Sequence, residues 1–127
     1  MVTMSERAVG DVTIVDLEGR VTLDEGSDEF RDLTRRVIKQ GRIKLVINFQ
    51  RVPYIDSTAL GEIIRCYTTL TRLGGGLKLL GVTPHVHRLL VITRLLTIFD
   101  LFDEEAEAIK SFGKPAPGLT AEASEEK

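Results

Sequence analysis

The sequence predicts an α/β fold in which parallel strands are joined by helices. Two short and nearly continuous apolar runs, "IKLVINF" (43–49) and "LKLLGV" (77–82), are typical of strands covered on both faces. Amphipathic helical patterns lie before and between these runs, and glycine-rich turns separate them. Because strands and helices alternate, we expect parallel pairings with right-handed crossovers.

The first clear strand lies in "DVTIVDLEG", where Val12, Ile14 and Leu17 alternate with polar residues and the pattern stops at Gly19. The first strand-like segments are too closely spaced for a helix to lie between them. We therefore expect an antiparallel edge at this end of the sheet.

The first helix is predicted to start at Ser27, a good capping residue, with Asp28 and Glu29 at the positive end of the helix dipole. Gly41 is expected to end it. Its predicted core-facing residues are Phe30, Leu33, Val37 and Ile38.

The later elements follow from similar signals. The second helix carries a buried stripe made of Leu60, Ile63, Ile64, Tyr67 and Leu70. The triple glycine at 74–76 ends it. Thr83 and Pro84 are a cap and a first-turn proline, which begin the third helix. Residues 97–102, "TIFDLF", are predicted to be a strand, with Asp103 capping a last helix.

The chain is expected to form a single domain over residues 1–112, followed by a disordered tail over residues 113–127 that is rich in Gly, Pro, Ala, Ser and Glu. Its 127 residues carry a formal net charge of −2, which argues against a nucleic-acid binder that relies on phosphate contacts.

A cytoplasmic location is expected from two features. Cys66 is the single cysteine, so no internal disulfide can form, and "MVTMSERAVG" lacks the regions of a signal peptide. The most apolar stretch, residues 89–102, is interrupted by polar side chains, so we expect no insertion into a membrane.

The sequence offers little for catalysis, and we expect neither an enzyme nor a cofactor. No Gly-Lys-Ser/Thr follows the triple glycine, so a phosphate-binding loop is not indicated. His85 and His87 are two residues apart and point in different directions on a helix, so no metal site is expected. Cys66 is predicted to be a small core residue.

The segment Asp56-Ser57-Thr58 joins a predicted strand to a helix and admits two compatible interpretations. In the first, Asp56 or Ser57 caps the helix and stabilises it by roughly 1 kcal/mol. In the second, Ser57 is exposed to a partner. A phosphate on Ser57 would meet free N–H groups and the positive end of the dipole, and would add about −1.5 to −2 charges.

The segment "VPYIDSTALGEII", together with "VTIVDLEGRV" and "GGGLKLLGVTPHVHRLL", resembles the STAS family, the domain of bacterial anti-sigma-factor antagonists. The similarity spans about residues 8–112. It implies a small mixed sheet of about four to five strands with about four helices, mainly on one side.

The resemblance also implies a function. In the family's antagonists, the serine after the motif aspartate, here Ser57, is phosphorylated by a partner that is both an anti-sigma factor and a serine kinase. The unphosphorylated antagonist binds that partner and releases sigma factor, and a serine phosphatase restores it. The alternative is a STAS subunit of a transporter, a lipid-trafficking complex or a stress-sensing assembly, in which Ser57 is only a cap.

The sequence departs from the family pattern at two places. Ala59 replaces the usual glycine, a change that favours helix. Thr22 stands where many antagonists have an acid, and the acids come later, at Asp24 and Glu25. The residues expected to flank Ser57 and to bind the partner are Asp56, Thr58, Asp24 and Glu25.

Overall fold

The computed structural model describes residues 2–113, so the predicted tail beyond Gly113 lies outside the described residues. This part of the chain forms one five-stranded sheet in the order β1-β2-β3-β4-β5. The strands are β1 Thr3–Val9, β2 Val12–Glu18, β3 Lys44–Arg51, β4 Gly76–Leu80 and β5 Asp100–Phe102. The helices are α1 Ser27–Lys39, α2 Ser57–Arg72, α3 Pro84–Ile92 and α4 Glu105–Ser111.

The sheet is mixed, as predicted. β1 and β2 form the antiparallel edge, joined by a tight turn in which Gly10 has a φ of 63°. β2, β3, β4 and β5 are parallel neighbours, each connected to the next by a helix. Because these crossovers bring the carboxyl ends of the parallel strands to one edge, the loops after β2 and β3 lie side by side.

The two faces of the sheet carry cores of different size. The larger core packs the inward residues of β2, β3 and β4, such as Val15, Ile47 and Leu79, against α1, α2 and α3. The smaller core, which includes Ile14 and Val46, packs against α4 on the opposite face. Three helices on one face and one short helix on the other match the predicted arrangement.

The core of α2 confirms the predicted stripe. Leu60, Ile63 and Leu70 are buried, and Ile64 and Tyr67 pack against the same core. Cys66 is only 5% exposed, and burial raises the pKa of its thiol to about 12, so it is a neutral core residue as predicted.

α1 begins at Ser27, as predicted, but Ser27 is not the residue that caps it. Ser27 is the first helical residue, and Gly26 is the N-cap, with a φ of 99° in the left-handed region. A Cβ added at Gly26 would lie 3.1 Å from a methyl carbon of Val2 and 3.2 Å from one of Val21. The chain therefore turns into α1 through a glycine that a capping serine could not replace.

The last strand and the last helix begin later than predicted. β5 is limited to Asp100–Phe102, because Phe99 is buried in the larger core from a turn in which the Ile98 N–H donates to the Leu95 carbonyl. Glu104, rather than Asp103, is the N-cap of α4, and it makes no side-chain capping bond. No helix within residues 2–113 has the length and hydropathy to cross a membrane.

Candidate functional site

The candidate site lies at the edge of the sheet where β2 and β3 end. The loops after these strands are joined by backbone hydrogen bonds. The Gly19 N–H donates to the Arg51 carbonyl (2.9 Å), the Val21 N–H donates to the Tyr54 carbonyl (3.1 Å) and the Asp56 N–H donates to the Val21 carbonyl (3.3 Å). The parallel pairing thus extends past both strands and holds the start of α2 in a fixed place.

Asp56 connects the two loops through its side chain. One carboxylate oxygen accepts from the Ala59 N–H (2.9 Å) and caps α2, and the other accepts from the Leu23 N–H (2.8 Å). Partial desolvation works to raise the pKa of Asp56, but bonds from the backbone N–H groups of Ala59, Leu23 and Thr58 bring it below its ordinary value. Asp56 is therefore an ionised cap shared by α2 and the loop after β2.

Ser57 is exposed at the first position of α2, and Thr58 beside it is half-buried. Because Asp56 supplies the capping oxygen, the Ser57 hydroxyl is not needed for that purpose. Of the two capping candidates in the sequence, the structure uses Asp56.

The turn over residues 22–25 lies beside this helix start. The Thr22 N–H donates to the Glu25 carbonyl (2.7 Å), and Leu23 and Asp24 are exposed, with Leu23 at 64%. A Glu25 carboxylate oxygen accepts from the Val2 N–H (3.0 Å), so this side chain reaches toward the N-terminus. The hydrogen bond from the Leu23 N–H to the Asp56 carboxylate holds this turn beside the start of α2, where Ser57 lies. Leu23 and Asp24 are the exposed side chains at the tip of the turn.

Leu23 was not identified as a site residue from the sequence. Large apolar side chains are common on protein surfaces when they stand alone, so exposure by itself does not mark a site. Here the Leu23 backbone is bonded to the cap of the helix that carries Ser57. The available signal was a single leucine within the polar loop "VTLDEGS".

A stack of three side chains lies on the same edge and was also missed. The Arg20 guanidinium carbon lies 4.4 Å from the centre of the Tyr54 ring, and the Tyr54 and His85 ring centres are 4.5 Å apart. The Thr83 hydroxyl donates to the Val52 carbonyl (2.6 Å), which fixes the start of α3 to the loop before α2. These contacts join distant positions, so no local pattern could reveal them.

Within residues 2–113, no group of three or more His, Cys, Asp or Glu residues is placed to hold a metal ion. His85 packs on Tyr54, and His87 is exposed on the same helix. This edge thus combines the exposed Ser57 with the Asp56 carboxylate, the exposed Leu23 and the stack of Arg20, Tyr54 and His85.

A model of the STAS domain matches residues 4–108, a stretch that includes both loops and Ser57. The chain belongs to the STAS domain family. Over 65 residues this STAS domain is 32% identical to an anti-sigma F factor antagonist of Paenibacillus polymyxa. That match covers 51% of this chain and 56% of the relative, so it spans little more than half of either protein.

Solved structures share the fold of this STAS domain. An anti-sigma factor antagonist from Mycobacterium paratuberculosis superimposes with a TM-score of 0.80 at 18% identity, over 90% of this chain and 96% of that one. The Bacillus cell fate determinant SpoIIAA in its phosphorylated form gives 0.71 at 21% identity, over 86% and 98%. At these identities the likeness establishes the fold.

Proposed function

We propose that this STAS domain is an anti-sigma-factor antagonist, a binding regulator rather than an enzyme, and that phosphorylation of Ser57 switches its binding off. The observation that carries the proposal is the exposed Ser57 hydroxyl at the start of α2, in a helix already capped by Asp56. The name of the Paenibacillus relative supports the same role.

A phosphate on Ser57 suits this position physically. The first N–H groups of a helix and the positive end of its dipole favour an anion, so the modification does not oppose folding. It adds about −1.5 to −2 charges next to the Asp56 carboxylate. Leu23 is exposed beside them, and a partner that covers this leucine would have to bring the new charge into a desolvated interface. Phosphorylation would therefore weaken binding while the domain stays folded.

The partner in this proposal is a cytoplasmic anti-sigma factor with serine kinase activity. The unphosphorylated domain binds it and releases sigma factor, and a serine phosphatase reverses the modification. Asp56, Thr58, Asp24 and Glu25 remain the proposed flanking contacts, with Leu23 added as the apolar anchor. Transcription is thus regulated through protein contacts rather than through contacts with nucleic acid.

The test is to incubate the full chain with its cognate anti-sigma factor and ATP and to measure the intact mass. The wild type is expected to gain one phosphoryl group, and Ser57→Ala none. Thr58→Ala should keep most of the gain, because Thr58 is half-buried and lies one step further into α2. Ser27→Ala is the matched control, since Ser27 is the first residue of α1 but is buried.

A phosphoryl group that persists undiminished in Ser57→Ala would show that the acceptor is wrong, and Thr58 would be the next residue to test. A wild-type chain that binds the anti-sigma factor but is never modified would remove the switch and leave a constitutive binding module.

A further inference from the structure

We propose that the cleft between α1 and α2 binds an amphipathic monocarboxylate of the fatty-acid type. The cleft has a volume of about 480 Å³, within the range of small-molecule sites. It is lined by α1 from Arg31 to Lys39 and by α2 from Glu62 to Thr69. At 1.5 Å per residue the cleft extends from about 7.5 Å (Glu62) to about 18 Å (Thr69) along α2 from Ser57, and Ser57 does not line it.

The floor of the cleft accepts hydrocarbon. Cys66 and Thr34 are buried there, and Ile38 and Thr69 are half-buried. The Cys66 thiol is neutral because burial raises its pKa to about 12. The Thr34 hydroxyl already donates to the Phe30 carbonyl (2.9 Å), so it does not require a polar ligand. An alkyl chain placed on this floor would lose contact with water without leaving these polar groups unpaired.

The mouth of the cleft is cationic. Four of its lining side chains are positive, Arg31, Arg35, Lys39 and Arg65, whereas Glu62 is the single acid among them. The Glu62 carboxylate lies 3.7 Å from the Arg65 guanidinium, so that acid is matched locally. The surplus of positive charge stands out in a chain whose formal net charge is −2.

The cations at the mouth differ in how far they are already paired with acids. Within residues 2–113, Arg31 is held by Asp28 at 3.1 Å, and its buried Nε has no hydrogen-bond acceptor but lies 3.7 Å from an Asp32 carboxylate oxygen. In the same part of the chain, Arg35 and Lys39 form no ion pair. Lys39 also complements the negative end of the α1 dipole, but that effect does not use its hydrogen-bond donors. A carboxylate head group would form charge-assisted hydrogen bonds with these two exposed cations.

The geometry of the cleft calls for a ligand that has both a carboxylate head group and an alkyl chain. Exposed ion pairs contribute little by themselves, because water and salt screen them. The apolar floor is open on one side, so it also offers only part of a binding energy. A ligand that carries both features in one molecule is therefore expected to bind more tightly than either part alone.

The experiment titrates the full chain by calorimetry with decanoate, decanol and acetate, each as a free monomer. Decanoate is expected to bind with a dissociation constant below about 1 mM, and decanol and acetate should each bind at least about tenfold more weakly. Failure of decanoate to bind at that concentration would overturn the proposal.

Two variants locate the site. The double variant Arg35→Glu, Lys39→Glu should weaken decanoate binding at least about tenfold. Its matched control, Arg72→Glu with Arg88→Glu, changes the net charge equally outside the cleft and should stay within about twofold. Thr69→Phe should fill the floor and abolish binding with all charges intact. Melting temperatures verify folding, and Thr69→Leu replaces Thr69→Phe if the larger residue destabilises the domain.

Equal weakening by both charge reversals, or binding that survives the filled floor, would contradict the assignment. Binding to phosphatidylglycerol vesicles is measured in parallel. If the protein binds these vesicles but not free decanoate, it responds to surface charge, and the proposal that the cleft binds a monocarboxylate would be wrong. None of these outcomes depends on Ser57, so the proposed phosphorylation switch and the proposed ligand site are tested independently.

Discussion

Helices α1 and α2 start in closely similar ways and yet differ in what their first residues can do. Each follows a parallel strand and a loop, and each has serine as its first helical residue, Ser27 in α1 and Ser57 in α2. Ser27 is 2% exposed and its hydroxyl has no hydrogen-bond partner among the described residues, whereas Ser57 is exposed. Only the second serine is accessible to a modifying enzyme.

The difference arises one residue earlier, at the N-cap. α1 is entered through Gly26, whose left-handed backbone makes the turn under close packing. α2 is entered through Asp56, whose carboxylate bonds to the helix and to the neighbouring loop. The accessibility of the first helical serine therefore depends on the N-cap residue, which in α2 makes the capping bond itself and leaves Ser57 exposed.

The largest effect is expected from Gly26→Ala. A left-handed φ costs an alanine about 1–2 kcal/mol, and the contacts with Val2 and Val21 add to it, so the free energy of unfolding should fall by about 1–3 kcal/mol. Chemical denaturation measures this. The control is Gly61→Ala in α2, where an added Cβ meets nothing within 4 Å and helix propensity should add about 1 kcal/mol. Equal behaviour of the two variants would refute the geometric account of the α1 start.

Asp56→Ala should cost about 1–2 kcal/mol of unfolding free energy, because it removes the cap of α2 and the acceptor for the Leu23 N–H. Denaturation and amide exchange at Leu23 are the measurements. Glu104→Ala is the control, since this N-cap residue of α4 makes no capping bond and should change stability by less than about 0.5 kcal/mol. Unchanged exchange at Leu23 would show that the carboxylate does not hold the loop.

The contribution of Asp56 should depend on pH. Its folded pKa is depressed, so its stabilisation is present above the unfolded value of about 3.9 and is lost as the pH falls through the folded pKa. The stability gap between wild type and Asp56→Ala should therefore narrow on acidification from neutral pH. Other carboxylates, such as Asp16, are common to both proteins and cancel in the difference. If the difference in unfolding free energy between wild type and Asp56→Ala widened in acid, folding would raise the pKa of Asp56 rather than lower it. That result would contradict the role of Asp56 as an ionised cap.

The smallest effect is expected from Ser27→Ala. Removing a buried hydroxyl without a partner, next to a small apolar cavity of about 10 Å³, should leave the unfolding free energy within about 0.5 kcal/mol of wild type or raise it slightly. Calorimetric melting checks this. A loss well above that range would mean that the Ser27 hydroxyl has a partner after all.

The elements that could be predicted from sequence are those with local causes. The apolar runs of β3 and β4 and the stripe of α2 follow from periodicity. A cap at Asp56 or Ser57 follows from side-chain chemistry within one turn, and the structure decides between them in favour of Asp56. The mixed sheet followed from the alternation of strands and helices. The resemblance to the STAS family rested instead on sequence motifs, above all the segment "VPYIDSTALGEII".

The features that escaped prediction depend on distant contacts. Ser27 looked like a cap because its own chemistry suits one, but the packing of Val2 and Val21 around the preceding residue requires glycine there. The bond from Leu23 to Asp56 spans 33 positions. Phe99 leaves the predicted strand because it is buried in the core from a turn. Local propensity carries no information about such partners.

The most direct test of the central claim is the affinity of the cognate anti-sigma factor for Ser57→Asp, compared with wild type and with Thr68→Asp. The last variant adds the same charge to an exposed position of α2, eleven residues from Ser57. A charge at Ser57 should weaken binding by about 1–3 kcal/mol, roughly fivefold to 150-fold, with an unchanged melting temperature because aspartate favours a helix start. Thr68→Asp should bind like wild type. Wild-type affinity in a folded Ser57→Asp, or equal losses in both variants, would contradict a switch at Ser57.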